Sequence, residues 1–287
     1  MLSVVNLNSS KAMIHRIPCF FLVYLIAAIS TNVVAGNDNP PVGARAQGLS
    51  GAAVTIADMW ALSNNPAALA LLKNTEVGAY AENRFSVKAF STVALQAVKP
   101  FNEKFGTAGL EFYRFGDDLY SEQRVGAGFG HKLGFVSLGI KADLVQVHVA
   151  DIGTKRAVAV SFGGLDDVSE QLKFGAYVYN LNQAKLAEEQ DERLPTVMKA
   201  GLSYRPVSRL MLNIESEKNI DFPAEFKAGL EYKVIEKLAA RAGFSTTTES
   251  VSLGAGWMAR VFQVDYAVNL MSKLGASNHL SVSYRFL

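Results

Sequence analysis

Four histidines and one cysteine are the residues of this 287-residue chain best suited to covalent or acid–base chemistry, and their surroundings give them little to work with. His148 could join Asp151 or Ser121 in a Ser-His-acid site, where an imidazole takes the hydroxyl proton and a carboxylate orients the ring, but no local spacing demands it. His131 falls in an expected turn, and His279 opens the expected last strand. His15 and Cys19 belong to an N-terminal leader. Gly126, Gly128 and Gly130 are spaced like a phosphate-cradling loop, yet they sit within a strand pattern and open no helix. With no metal-ligand cluster or paired-carboxylate motif, no catalytic, cofactor-binding or metal residue is assigned. The chain reads as a non-enzyme without cofactors.

The charged residues follow a different rule, period two. Glu111, Arg124, Lys141, Asp143, Lys173, Lys199, Glu215, Lys227, Glu231, Arg241, Asp265 and Arg285 alternate with apolar neighbours and fall on one face of successive strands. They are mixed in sign and interspersed with glycines. Charges of both signs on neighbouring strands can pair and hydrogen-bond, so this set reads as a cross-linked, partly filled interior, with an open conducting channel as the alternative.

Upstream, Gly43 to Leu69 is rich in Ala and Gly and has no strand pattern. Asp58 there can accept backbone hydrogen bonds, and Asn65 before Pro66 has the form of an N-cap with proline in the first helical position. Arg45 is its one basic residue, expected to pair with Glu215, Glu231 or Asp265. These features predict a small-residue plug inside the expected lumen.

The elements that must hold these residues are strands. From Thr75 onward the pattern predicts about 14 of them: 75–85, 88–99, 105–115, 121–131, 135–148, 155–164, 171–180, 196–205, 208–218, 222–233, 237–245, 249–259, 261–270 and 278–287. Val136, Leu138, Ile140 and Ala142 oppose Ser137, Gly139, Lys141 and Asp143; Val251, Leu253, Ala255 and Trp257 oppose Ser252, Gly254 and Gly256. At the C-terminus Leu280, Val282, Tyr284 and Phe286 alternate with Ser281, Ser283 and Arg285, as in the closing strand of a transmembrane barrel. Such a series excludes helical periodicity. Tight turns are expected at Pro100, His131 to Gly134, Arg205 with Pro206, and Ile235 with Glu236. The opposite rim has short loops except Leu181 to Pro195, whose acids Glu188, Glu189, Asp191 and Glu192, with the more distant Asp151 on another loop, could steer a basic partner.

Lys11, Arg16, the apolar run from Ile17 to Ile29 and the compact Val33 and Ala35 at the minus-three and minus-one places read as a secretory signal peptide cut after Ala35. The run, about 13 residues, is short of the roughly 20 that a spanning helix needs. Lys11 and Arg16 are its only charges, so of the chain's 28 basic residues 26 remain to face 26 acids. A balance near zero gives no electrostatic case for a nucleic-acid partner. Although 49% of the chain is hydrophobic, nothing after the leader approaches a spanning helix. A closed barrel is the other way to satisfy every backbone group in lipid. The expected organisation is a leader over 1–35, a plug over 36–74 and an all-β, up-and-down antiparallel transmembrane barrel over 75–287, in the outer membrane of a Gram-negative bacterium and in contact with its lipid.

The run from Arg45 through Gly48, Ser50 and Gly51 to Ala52, then Ile56 to Asp58, then Asn65 and Pro66, resembles the N-terminal hatch motif of the FadL-like barrels. It is most similar to the PorV/PorQ-type outer-membrane proteins of the type IX secretion system. That family has Gly where Ser50 stands and an acid where Met59 stands. The narrower resemblance implies an interaction protein that docks to the secretion translocon or its cargo; the wider one implies transport of a hydrophobic small molecule. A charged long loop and an ionic lumen speak for the first.

Overall fold

The computed structural model describes residues 39–102, 105–186, 193–246 and 249–287. The expected leader, and the loop acids Glu188, Glu189, Asp191 and Glu192, lie outside the described residues. The strands are β1 (Glu76–Asn83), β2 (Ser91–Asn102), β3 (Gly106–Gly116), β4 (Tyr120–Leu133), β5 (Val136–Val149), β6 (Gly153–Asp167) and β7 (Leu172–Tyr179). They continue as β8 (Val197–Val207), β9 (Leu210–Asn219), β10 (Glu225–Ile235), β11 (Leu238–Ser245), β12 (Ser250–Met258), β13 (Phe262–Met271) and β14 (Gly275–Arg285). Each pairs with the next, and β14 returns to β1, closing a barrel of 14 strands. The closing register runs antiparallel from Glu76 opposite Arg285 to Asn83 opposite Asn278. We call the end where β1 begins and β14 finishes proximal, and the other end distal.

Closure follows from the period-two pattern. In β5 the outward Leu138, Ile140 and Leu144 are exposed while Ser137, Lys141 and Asp143 are buried, and in β12 Val251 and Leu253 are exposed while Ser252 is buried. An apolar outer face with all ladder hydrogen bonds satisfied is what a wall in contact with lipid requires. Phe262, Tyr284 and Phe286 pack together at the proximal end, the first pair tilted and the second edge to face, with centroid separations of 5.0 and 4.8 Å. Among the described residues no helix is long and apolar enough to cross a membrane.

Two expected turns lie elsewhere, and the one expected from His131 begins only at Gly134. Pro100 stays inside β2 at a register shift between Pro100 and Asn102, and Arg205 with Pro206 stays inside β8, where the register shifts between Tyr204 and Val207. A proline cannot donate to the ladder, and a bulge absorbs the missing bond without ending the strand. His131 likewise lies inside β4, which extends to Leu133. His279 does not open the last strand: β14 begins at Gly275, and His279 is buried with Nδ1 2.9 Å from the Tyr80 hydroxyl.

Candidate functional site: the luminal segment and its ionic ties

Residues 39–72 lie against the inward faces of the strands. The segment contains two short helices, α1 (Ala44–Gln47) and α2 (Ala61–Asn64), and a 3-10 turn over Pro66–Leu71. Small side chains let its backbone approach the wall, and the wall yields with glycines. A β-carbon added to Gly139 would sit 2.2 Å from the carbonyl carbon of Pro66, and one on Gly163 2.0 Å from Asn65 Oδ1. Asn65 caps the 3-10 turn by accepting from the Ala67 amide at 3.1 Å, while its Nδ2 donates to the Val54 carbonyl at 2.8 Å.

Arg45 supplies the main ionic tie. Its Nε and Nη2 meet the two oxygens of Glu231 at 2.7 and 2.6 Å, a fork-to-fork geometry that fixes orientation as well as charge. Its Nη1 lies 3.5 Å from Asp58. Glu231 in turn accepts from Arg241 Nε at 2.6 Å, and Arg241 Nη1 reaches Asp265 at 2.8 Å. The result is a chain of alternating charge across β10, β11 and β13. Burial works against the Arg45 charge, yet the adjacent Glu231 carboxylate outweighs it and holds the guanidinium pKa above its usual value. Burial pushes the Asp58 carboxyl up to about 6, against the pull of Arg45 and of the Trp60 amide that it accepts at 2.9 Å.

The remaining expected residues divide between this chain and other places. Glu215 stands apart from Arg45 and accepts from the amides of Ala53 and Val54, both at 2.8 Å. Arg285 faces Glu76 at 2.8 Å on the closing seam. Gly48 caps α1, and a β-carbon there would lie 3.3 Å from the Cα of Gly254. Gly51 takes a φ of 80° and Ser50 a φ of 53°, in the left-handed region. A side chain is strained at such a φ. Ser50 has a compensating bond, its hydroxyl 2.7 Å from that of Ser252. Ser252 is therefore fully buried against the segment.

Strand parity also carried residues that the sequence reading passed over. Glu217, between Lys199 and Lys227, and Glu82, beside Arg84, complete inward pairs. No Ser-His-acid site forms around His148: its Nδ1 meets Thr154 Oγ1 at 2.9 Å, and Ser121 faces it across the ladder with no hydrogen bond described between them. Among the described residues no cluster of His, Cys, Asp or Glu could hold a metal ion.

Of two cavities, one lies across the wall from the segment and one is lined in part by it. One, about 610 Å³, is an apolar depression in the outer wall bordered by Val77, Leu95, Leu110, Phe112, Val282 and Tyr284 and floored by Ala79 and Ala97. Gly78 separates it from Met59, whose sulfur would lie 2.9 Å from a β-carbon at that glycine. Met59 belongs to an internal apolar cluster with Val42, Trp60, Tyr80, Ala94 and Tyr113. The other, about 250 Å³, opens at the proximal mouth above Arg45, which lines it.

No protein-family model and no curated protein matches the chain. Solved structures do. The CymD monoaromatic hydrocarbon channel is 11% identical, with 85% of this chain and 97% of that one covered at a TM-score of 0.65. The toluene transporter TbuX of Ralstonia pickettii is 12% identical, with 86% and 98% covered at 0.65. A FadL homologue of Pseudomonas aeruginosa is 12% identical, with 88% and 100% covered at 0.64. The neighbours are FadL-like outer-membrane barrels, and at this identity the likeness is one of fold.

Proposed function

We propose that this chain is a FadL-like barrel of a Gram-negative outer membrane that passes a small hydrophobic molecule between its lumen and the surrounding lipid. The observation that carries this reading is the thin wall at Gly78: an apolar depression of about 610 Å³ outside, and the apolar cluster around Met59 and Trp60 inside. A solute leaving the lumen here would pass from the apolar cluster to the apolar outer face, with the inward Gln96 and Glu111 as the polar groups beside its path. The covered length of toluene and monoaromatic hydrocarbon transporters supports the same class of solute.

Toluene uptake by cells lacking a comparable channel tests it. Expression should raise the initial rate, and A79W, which fills the outer depression without touching the luminal segment, should bring it back toward background. An unchanged rate on expression would reject the reading.

A second reading, docking to type IX secretion components or their cargo, draws on the hatch resemblance and on the ionic ties of the lumen. Arg45, Glu215 and Ser252 all hold the segment against the wall, as suits a barrel whose work is at its rims. Shortening 184–193 to a tight turn leaves folding intact under either reading, because loop length contributes little to stability. Lost recovery of translocon components, with toluene uptake unchanged, would favour docking.

A further inference from the structure

Cations in the lumen generally meet carboxylates. Lys141 lies 3.2 Å from Glu111 and 3.0 Å from Asp143, Lys227 is 3.3 Å from Glu225, and Arg45 and Arg241 share Glu231. The proximal mouth departs from this rule. Arg205, Arg209, Lys233 and Lys237 line one cavity of about 250 Å³ above Arg45, with Glu236 as the one lining carboxylate not engaged by Arg45 or Arg241. Among the described residues none of the four cations has a carboxylate partner, and the Arg205 guanidinium finds only the Met211 sulfur, at 3.3 Å.

Backbone bonds bring these cations together from separate hairpins. The Lys233 amide donates to the Arg209 carbonyl at 2.9 Å, joining the β8–β9 turn to β10, and the Met258 amide donates to the Lys237 carbonyl at 2.8 Å, joining the β10–β11 turn to β12. Four like charges around one concavity repel each other, and a low-dielectric wall focuses their field into it. An anion relieves that repulsion. Guanidinium groups present planar pairs of donors suited to phosphate oxygens, and lysines add point charge. The same cavity is bordered by Met258 and by Leu238 and Trp257, which are exposed on the outer wall. A tryptophan beside basic residues at a barrel rim is the composition of a headgroup zone.

We propose that the proximal mouth is a binding site for a phosphate group, held by Arg205, Arg209, Lys233 and Lys237 and supplied either by the headgroup of an anionic phospholipid or by a free phosphate. The cavity volume suits a headgroup and excludes an acyl chain, which would lie outside along Trp257.

Two measurements on the full chain separate the sources. Native mass spectrometry after release from bilayers of mixed phosphatidylglycerol and phosphatidylcholine reads the lipid, and phosphorus NMR line broadening of inorganic phosphate in detergent reads the free anion. Retention of phosphatidylglycerol over phosphatidylcholine, falling at least fivefold in R205Q/R209Q, assigns the lipid source. Broadening of inorganic phosphate without lipid retention, lost in the same variant, assigns the free anion. Removing unpaired cations should leave heat-modifiable migration intact; should that variant fail to fold, K233Q/K237Q and the loss of wild-type binding in raised salt take its place. Absence of both signals in the wild type, or equal signals in a folded variant, overturns the proposal.

Discussion

Arg45 and Asp58 sit side by side, yet their electrostatic settings differ. Arg45 is forked onto Glu231, so R45A leaves a buried carboxylate with Arg241 as its remaining partner. The expected cost is about 3 kcal/mol, near the low end for a broken buried pair; urea unfolding in lipid vesicles would show it, and R45K should recover only part. Asp58 works in the opposite sense. Its pKa is raised from 3.8 to about 6 in the folded chain, so across that interval the native state keeps a proton that the unfolded chain has released. Stability should therefore fall as pH rises through this window and level off above it. D58N keeps an oxygen for the Trp60 amide and should flatten that slope, measured by unfolding midpoints at stepped pH. An unaltered slope would mean that another group titrates there.

Neighbouring positions on one strand carry opposite roles. In β12, Leu253 points outward and Ser252 inward. L253R should cost about 2 to 4 kcal/mol near the bilayer midplane. S252A should cost about 1 kcal/mol through the lost bond to Ser50, read as a downward shift in the temperature of heat-modifiable migration. Equal losses for the two would mean that the facing is wrong. In β5, G139A places a methyl against the backbone of Pro66 and Ala67, where neither partner is a flexible side chain. Overpacking of this kind costs about 1 to 3 kcal/mol. The strand ladder itself is untouched, so the barrel should form while residues 39–72 become more open to protease.

For the molecule as a whole, the question is what the luminal segment does for a barrel that is already closed. Every strand has two neighbours without it, so the wall does not depend on it for pairing. Removing residues 39–72 should leave a barrel that inserts, at reduced stability, and raise single-channel conductance in planar bilayers several-fold. Conductance equal to that of the intact chain would mean that the segment does not obstruct the lumen. The same measurement with toluene present would reveal whether a hydrophobic solute displaces the segment or passes beside it.

Period two, the alternation of Leu280, Val282 and Tyr284 with Ser281, Ser283 and Arg285 in the closing strand, and the small-residue run before Thr75 are local properties, legible from residue types alone. Backbone geometry turns alternation directly into two faces, so the inward position of Glu231, Arg241 and Asp265 needed no tertiary information. Which of these charges meet did need it. Arg45 and Glu231 are 186 residues apart, and their contact depends on the register of every intervening ladder and on where β14 closes against β1. The bulges at Pro100 and Pro206, the strained φ of Ser50 and the gathering of four unmatched cations at the proximal mouth belong to the same group. Each arises from how neighbouring hairpins are placed against one another, a relation that no stretch of sequence contains, because register is a property of strand pairs and closure a property of the full ring.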